Sequence, residues 1–202
     1  MAALSLIQTV QADVSAGLAA LAQQNYATAK KEFETAAEQG SAEAQYSLAQ
    51  LYENGQGVPQ DYGQALQWNR KAAEQGLDLA QNNLGFMYEN AQGTSQNYAE
   101  AVKWYNKAAD QDYAIAQFNL GRIYATGLGV LQDDVQAYFW TALSASQGDE
   151  GAQNNIKLLA ARMSPAQISE AKELILQWSK QHSDLIHPHR VLPDDNEQQL
   201  RL

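Results

Sequence analysis

A constant step of 36 residues runs through most of this chain. Tyr26, Tyr62 and Tyr98 keep it, and so do Ala29, Ala65, Ala101 and Ala137. Leu48, Leu84, Leu120 and Ile156 keep it as well. Ala44, Ala80, Ala116 and Ala152 do the same, each followed by glutamine (Gln45, Gln81, Gln117, Gln153). Self-similarity at a period of this size marks a stacked-repeat architecture. Each unit then buries its apolar face only against its neighbours, and the fold is nearly one-dimensional. The step therefore predicts one elongated domain from Tyr26 to Met163, a scaffold whose natural task is binding.

Inside each step the local signals are helical. The segment Ala42–Asn54 places Ala44, Leu48, Leu51 and Tyr52 on one face. Ser41 is a ready N-cap and Gly40 a ready terminator for the helix before it. Gly55-Gln-Gly57-Val-Pro59 ends the segment, since Pro59 cannot continue a helix. The cycle recurs with helices over Tyr62–Gln75, Asp78–Asn90 (Asp78 as cap), Tyr98–Asp110, Ala114–Thr126 behind Asp112, Asp134–Gln147, and a last repeat helix capped by Asp149 and running to Arg162. Before them, a short helix over Asp13–Gln24 and a second one to Gln39 form an opening pair over residues 13–40. Ser164-Pro165-Ala-Gln167 has the form of a capping box with proline at the first helical position. It opens a capping helix over residues 164–183 with Ile168, Ala171, Leu174, Ile175 and Trp178 along one stripe. Beyond it, residues 184–202 read as a flexible acidic tail.

Composition narrows the function. The 13 Lys and Arg stand against 23 acidic residues, a formal net charge of −10. Nucleic-acid binding needs basic stripes to displace counterions, so it is excluded; anionic membrane surfaces are disfavoured for the same reason. Cysteine is absent, which removes disulfides and thiolate metal sites and leaves the redox compartment open. No apolar run approaches the ~20 residues of a membrane-spanning helix. Residues 1–12 contain a short apolar core, Ala2 to Ile7, and end in Val10-Gln11-Ala12. That has the form of the tail of a secretory signal with its cleavage site, without a basic start. Two readings stay open: a signal-peptide remnant, or an ordinary first helix.

The recurring unit reads A-x-x-W-x-x-x-A-A, then A-Q-x-x-L-G-x-x-Y, then G-x-G. In the third unit it stands as Ala101-Val-Lys-Trp104-Tyr-Asn-Lys-Ala108-Ala109, Ala116-Gln117-Phe-Asn-Leu120-Gly121-Arg-Ile-Tyr124 and Gly127-Leu-Gly129. This resembles the Sel-like repeat, a helix-pair relative of the tetratricopeptide repeat, over residues 27–163. The opening pair resembles a plain tetratricopeptide unit. Ala91 replaces the first loop glycine of its unit, Ala49 and Lys157 replace the glycine after Leu or Ile, and the fourth unit lacks its tyrosine and glycine loop. The resemblance implies an all-α, right-handed superhelix of antiparallel helix pairs acting as a protein-interaction adaptor. Bacterial members are often exported, so it also implies a periplasmic or secreted location, or a cytoplasmic one if residues 1–12 are no signal.

Other constellations read as structure. Trp68, Trp104 and Trp140, with Phe33, fill gaps between helices. Asn83, Asn119 and Asn155 read as hydrogen bonders to neighbouring backbone. The Gly-x-Gly loops follow helices, whereas a dinucleotide fingerprint follows a strand and has a third glycine. Ser169-Glu-Ala-Lys172 matches the S-x-x-K of penicillin-interacting enzymes without its companion motifs. The three histidines, His182, His187 and His189, lack the spacing of a metal site. Asp133-Asp134 reads as a solvated helix start. No catalytic residue, cofactor or metal is expected.

The leading reading is thus a non-catalytic scaffold for another protein or an extended peptide, without nucleic acid and without membrane insertion; its oligomeric state is open. The alternative is a cell-wall enzyme acting on peptidoglycan. In a tetratricopeptide-like stack the first helix of each pair lines the concave face. Residues between its core positions would then meet the partner: Glu43, Tyr46, Gln50 and Glu53, next Leu79, Asn82, Phe86 and Glu89, then Ile115, Phe118, Arg122 and Ala125. Of these, Glu43, Tyr46, Gln50, Asn82, Phe86, Glu89, Phe118 and Arg122 are the expected contact residues. Their chemistry varies from unit to unit while the frame around them is constant.

Overall fold

A computed structural model describes residues 2–183, with side chains from Val10 onward. The tail expected over residues 184–202, with His187 and His189, lies outside the described residues. All regular structure among the described residues is helical: α1 (Ala2–Ala22), α2 (Tyr26–Glu38), α3 (Ala42–Asn54), α4 (Tyr62–Glu74), α5 (Asp78–Glu89), α6 (Tyr98–Ala109), α7 (Ala114–Thr126), α8 (Asp134–Ser146), α9 (Glu150–Ala160) and α10 (Pro165–Gln181). The all-α helix-pair class expected from the 36-residue step is the class observed. The chain divides into two compact units, Met1–Asn97 and Tyr98–Leu202.

In the first unit each helix packs on the next, from α1 on α2 to α4 on α5. Ala29, Phe33, Ala36, Ala44, Leu48 and Leu51 form its opening core, with Val10, Val14, Leu21, Tyr52 and Trp68 packed at the margin. Alanine at so many buried positions lets helix backbones approach closely, and Phe33 fills the remaining space. The first helix is longer than the expected Asp13–Gln24. Nothing between Ala2 and Ala22 breaks a helix: there is no proline, and Gly17 is the only glycine. Gly17 lies against the ring of Phe33, which occupies the space a β-carbon would need.

In the second unit α6 packs on α7, α7 on α8, and α8 on both α9 and α10. Helix α8 is therefore covered almost all round; Val135 and every residue from Ala137 to Ser146 are buried. The capping helix α10 lies on α8 through Ala171, Ile175 and Trp178, an i, i+4, i+7 stripe. Terminal units of a solenoid are atypical because they must cover the exposed end of the core. The capping box at Ser164 is formed on both sides: Gln167 N–H donates to Ser164 Oγ at 3.3 Å, and Ser164 N–H donates to Gln167 Oε1 at 2.9 Å.

Ser41, Asp61, Asp133 and Asp149 accept from backbone N–H groups two or three residues on, as N-caps should. Asp78 does not. Leu77 takes the N-cap position without a side-chain bond, and Asp78 is the first helical residue, its carboxylate accepting from Leu79 N–H at 2.7 Å. Asp112 likewise stands one place before the N-cap Tyr113, in a left-handed conformation (φ +63°) and buried. Gly40, Gly76 and Gly148 hold the equivalent turns.

The glycine loops close in one manner. Asp61 N–H donates to Tyr52 O, Asn97 N–H to Tyr88 O and Asp133 N–H to Tyr124 O, at 2.9, 2.8 and 3.0 Å. At the first loop position Gly55 and Gly127 are left-handed, and so is Ala91 (φ +56°). A non-glycine residue there costs about 1–2 kcal/mol. Ala91→Gly should therefore raise stability by roughly 0.5–1 kcal/mol, after the extra freedom glycine gives the unfolded chain. A urea midpoint that shifts downward would refute the strain.

Candidate functional site

The expected contact residues sit on α3 and α5 in the first unit and on α7 in the second. Helix α5 turns its core side inward through Ala80, Leu84 and Met87, all fully buried. The opposite side carries Leu79, 38% exposed, and Phe86, 42% exposed. Large apolar side chains at that exposure, seven residues apart, stand on the same face two turns from each other. Asn83 lies between them at i+4. Its Nδ2 donates to Glu53 Oε2 on α3 at 2.9 Å, which ties the two helices together beside the apolar pair. The asparagine was expected to bond backbone; it holds a carboxylate of the neighbouring helix instead.

The remaining first-unit residues differ in exposure. Glu43 is exposed and accepts from Ser41 Oγ at 3.0 Å. Tyr46, Gln50 and Asn82 are half-buried. Glu89 departs from the expectation: it is buried. The loop after α5 returns to the end of the helix, with Gln96 Nε2 donating to the Glu89 backbone carbonyl at 2.9 Å and Asn97 N–H to the Tyr88 carbonyl at 2.8 Å. Helix phase alone places Glu89 outward; its repeat equivalent Glu53, whose carbonyl takes the same loop bond from Gln60, is half-buried.

On α7 of the second unit, Ile115 is 50% exposed while Phe118, Arg122 and Ala125 are half-buried. The Phe118 ring lies near Gly151 at the start of α9, where a β-carbon would meet it at 3.5 Å. The core of this helix, Ala116, Leu120 and Ile123, is fully buried. The groups with shifted acidity lie elsewhere: burial pushes the Tyr124 and Tyr138 phenols up, and the hydrogen bond to Glu34 raises Lys30 on α2.

The repeated glutamines have a role that their recurrence only hinted at. Gln45, Gln81 and Gln117 are buried, and their Nε2 atoms donate to Ala37 O, Ala73 O and Ala109 O at 3.1, 3.1 and 3.3 Å. Those carbonyls lie at the end of the preceding helix, where each also accepts from the turn that follows, from Gly40, Gly76 and Asp112 N–H in that order. Gln75 Nε2 then donates to Gln45 Oε1 at 2.7 Å, and Gln147 Nε2 to Gln117 Oε1 at 3.0 Å. In the second unit Asp112 joins this network, accepting from Gln117 Nε2 and Gln147 Nε2 at 2.9 and 3.0 Å. Buried polar chains of this kind fix one packing of helix on helix. The expected aromatic core holds for Phe33 (fully buried) and for Trp104 and Trp140 (each 6% exposed). Trp68 is only half-buried, with the Lys71 ammonium 3.8 Å from the ring centroid. Ser169 of the S-x-x-K match is exposed on α10.

Comparison with known proteins places this geometry. The sequence profile described as Sel1 repeat matches residues 42–77, 78–113 and 114–149. Among solved structures the chain is similar to a Sel1 repeat protein from Oxalobacter formigenes, with 32% identity, a TM-score of 0.71, and 84% of this chain and 68% of that one covered. It is also similar to a protective antigen present in uropathogenic Escherichia coli strains that displays an SLR fold (26% identity, TM-score 0.57), covering 84% of this chain and 46% of that one. A third similar structure is a putative sel1 repeat protein from Klebsiella pneumoniae subsp. pneumoniae (25% identity, TM-score 0.55, 87% and 92% covered). Comparison with curated proteins gives no match. Sel1 repeat proteins are in general non-catalytic scaffolds for protein–protein interaction. With three consecutive matched repeats covering more than half of its length, the chain belongs to the Sel1 repeat family.

Proposed function

We infer that this protein is a binding scaffold of the bacterial envelope, and that the first-helix faces of each unit, α3 and α5 in the first and α7 in the second, take an extended peptide or loop of another protein. One observation carries the reading. Positions related by the repeat step hold Glu43, Leu79 and Ile115, or Tyr46, Asn82 and Phe118, or Gln50, Phe86 and Arg122, whereas the core positions beside them barely change. A frame kept constant under a varied surface suits a surface chosen for its partner. Leu79, Phe86 and Ile115 supply exposed apolar area there, and rigid aromatic anchors contribute most to such contacts. The test is capture. A partner recovered from envelope extract and then purified should no longer bind the Phe86→Ser/Phe118→Ser double variant, while the helical spectrum and melting midpoint stay close to the parent's. Retained binding would move the site to another surface.

The envelope location rests on Val10-Gln11-Ala12. Cleavage after Ala12 would leave Val14, Gly17, Ala20 and Leu21, which meet the first-unit core, and of the described side chains that pack against that core would remove Val10. The expected mature chain begins at Asp13. Mass spectrometry of the native protein checks this, and an intact Met1 in a cytosolic fraction would remove the export argument.

A further inference from the structure

Every lysine and arginine of the first unit, namely Lys30, Lys31, Arg70 and Lys71, belongs to α2 or α4. Helices α3 and α5 carry only Glu43, Glu53, Asp78 and Glu89 as charged residues. Three of these four cations are engaged locally. Lys30 Nζ pairs with Glu34 at 2.6 Å, Lys71 covers the Trp68 ring, and Arg70 donates to the Tyr88 hydroxyl at 2.7 Å. Among the described residues no ion pair joins a cation to Glu43, Glu53 or Asp78. The half-buried Glu53 carboxylate is held by the neutral amide of Asn83, so its charge stays uncompensated. Asn83 stands between Leu79 and Phe86 on one α5 stripe.

We propose that the α3–α5 face of the first unit selects a cationic amphipathic segment of the partner: a lysine or arginine seated on the Glu53–Asn83 pair, with an apolar side chain on either side of it against Leu79 and Phe86. This rests on the binding reading above and names its chemistry. A carboxylate that is partly withdrawn from water and already oriented by a hydrogen bond favours a cation over any other group. The apolar pair, one turn to each side, adds contact area that an isolated acidic patch lacks, and the aromatic face of Phe86 is itself favourable to a cation. An acidic segment would meet Glu43, Glu53 and Asp78 with no compensating cation on either helix, and like-charge juxtaposition works against wrong partners. The chain's net charge of −10 steers a basic segment toward it from a distance.

The experiment selects binders from a phage-displayed random peptide library on the full chain. The recovered peptides are then synthesised with a fluorophore and titrated by anisotropy against the parent, Glu53→Gln and Phe86→Ser. Glutamine keeps an acceptor for Asn83 and removes only the charge. The expected peptides carry lysine or arginine between apolar residues, lose about tenfold in affinity on Glu53→Gln, lose binding on Phe86→Ser, and bind more weakly as salt rises. Acidic or uncharged peptides that bind the parent and fail on Phe86→Ser would overturn the cationic selection and leave the binding face standing. Cationic peptides indifferent to Glu53→Gln would overturn it too. Peptides indifferent to Phe86→Ser, or a library that yields no binder, would overturn both readings of this face.

Discussion

Trp104→Ala should lower the stability of the protein by about 3–5 kcal/mol. Trp104 lies on α6 with Ala101, Tyr105 and Ala108, each of which is fully buried, and is itself only 6% exposed. The Lys107 ammonium lies 4.1 Å from its ring centroid and helps to shield it from water. Alanine would leave a cavity of nearly indole size between helices that are already close-packed through alanines, and these cannot collapse further to fill it. A loss of that size is a large share of the 5–15 kcal/mol that typically holds a domain folded. Trp68→Ala should cost distinctly less, because Trp68 starts half-exposed. Urea denaturation reads both: the Trp104 midpoint should fall much further than the Trp68 one. Equal shifts would mean that the two tryptophans are equally buried, contrary to the packing described.

Gly93→Ala should cost roughly 2–4 kcal/mol, and Gly55→Ala only about 1. The two glycines share one backbone conformation, φ +68° and +67°. They differ in what a β-carbon meets. At Gly55 the nearest atoms are Gln60 Cβ and N at 3.4 Å, the edge of ordinary contact. At Gly93 the new carbon would fall on the carbonyl of Tyr62, a backbone group of α4 that cannot swing aside. The same loop position, Gly57 and Gly129, sits on Tyr26 and Tyr98. The loop thus rests on the first turn of the preceding repeat's second helix at every step, which links the glycine and the tyrosine of the period. Thermal or urea midpoints of the two variants decide the matter. Equal losses would show that the cost is dihedral strain alone, and that the loop does not press on Tyr62.

The helical class, the number of helices and most of their limits were legible in the residue order. A repeat writes its period into the sequence, because each copy must solve the same packing problem against an equivalent neighbour. Caps such as Ser41, Asp61 and Ser164 act within a few residues, so local chemistry reveals them. The extent of α1 was harder to read: a cleavage-like tripeptide and a helix without breakers share one composition. Three features depended on residues brought together from afar. Glu89 is buried while its repeat equivalent Glu53, under the same kind of loop bond, is half-buried, and helix phase does not distinguish the two. Asp112 takes a left-handed turn in place of glycine because Gln117 and Gln147 hold its carboxylate, the latter from 35 residues away. Asn83 finds Glu53 across 30 residues, and that single bond ties the α3 carboxylate to the α5 residue that stands between two exposed apolar side chains. The period announces that some surface of a scaffold faces a partner; the charge and apolar pattern of that surface emerges only when neighbouring repeats lie side by side, since each repeat supplies only part of it.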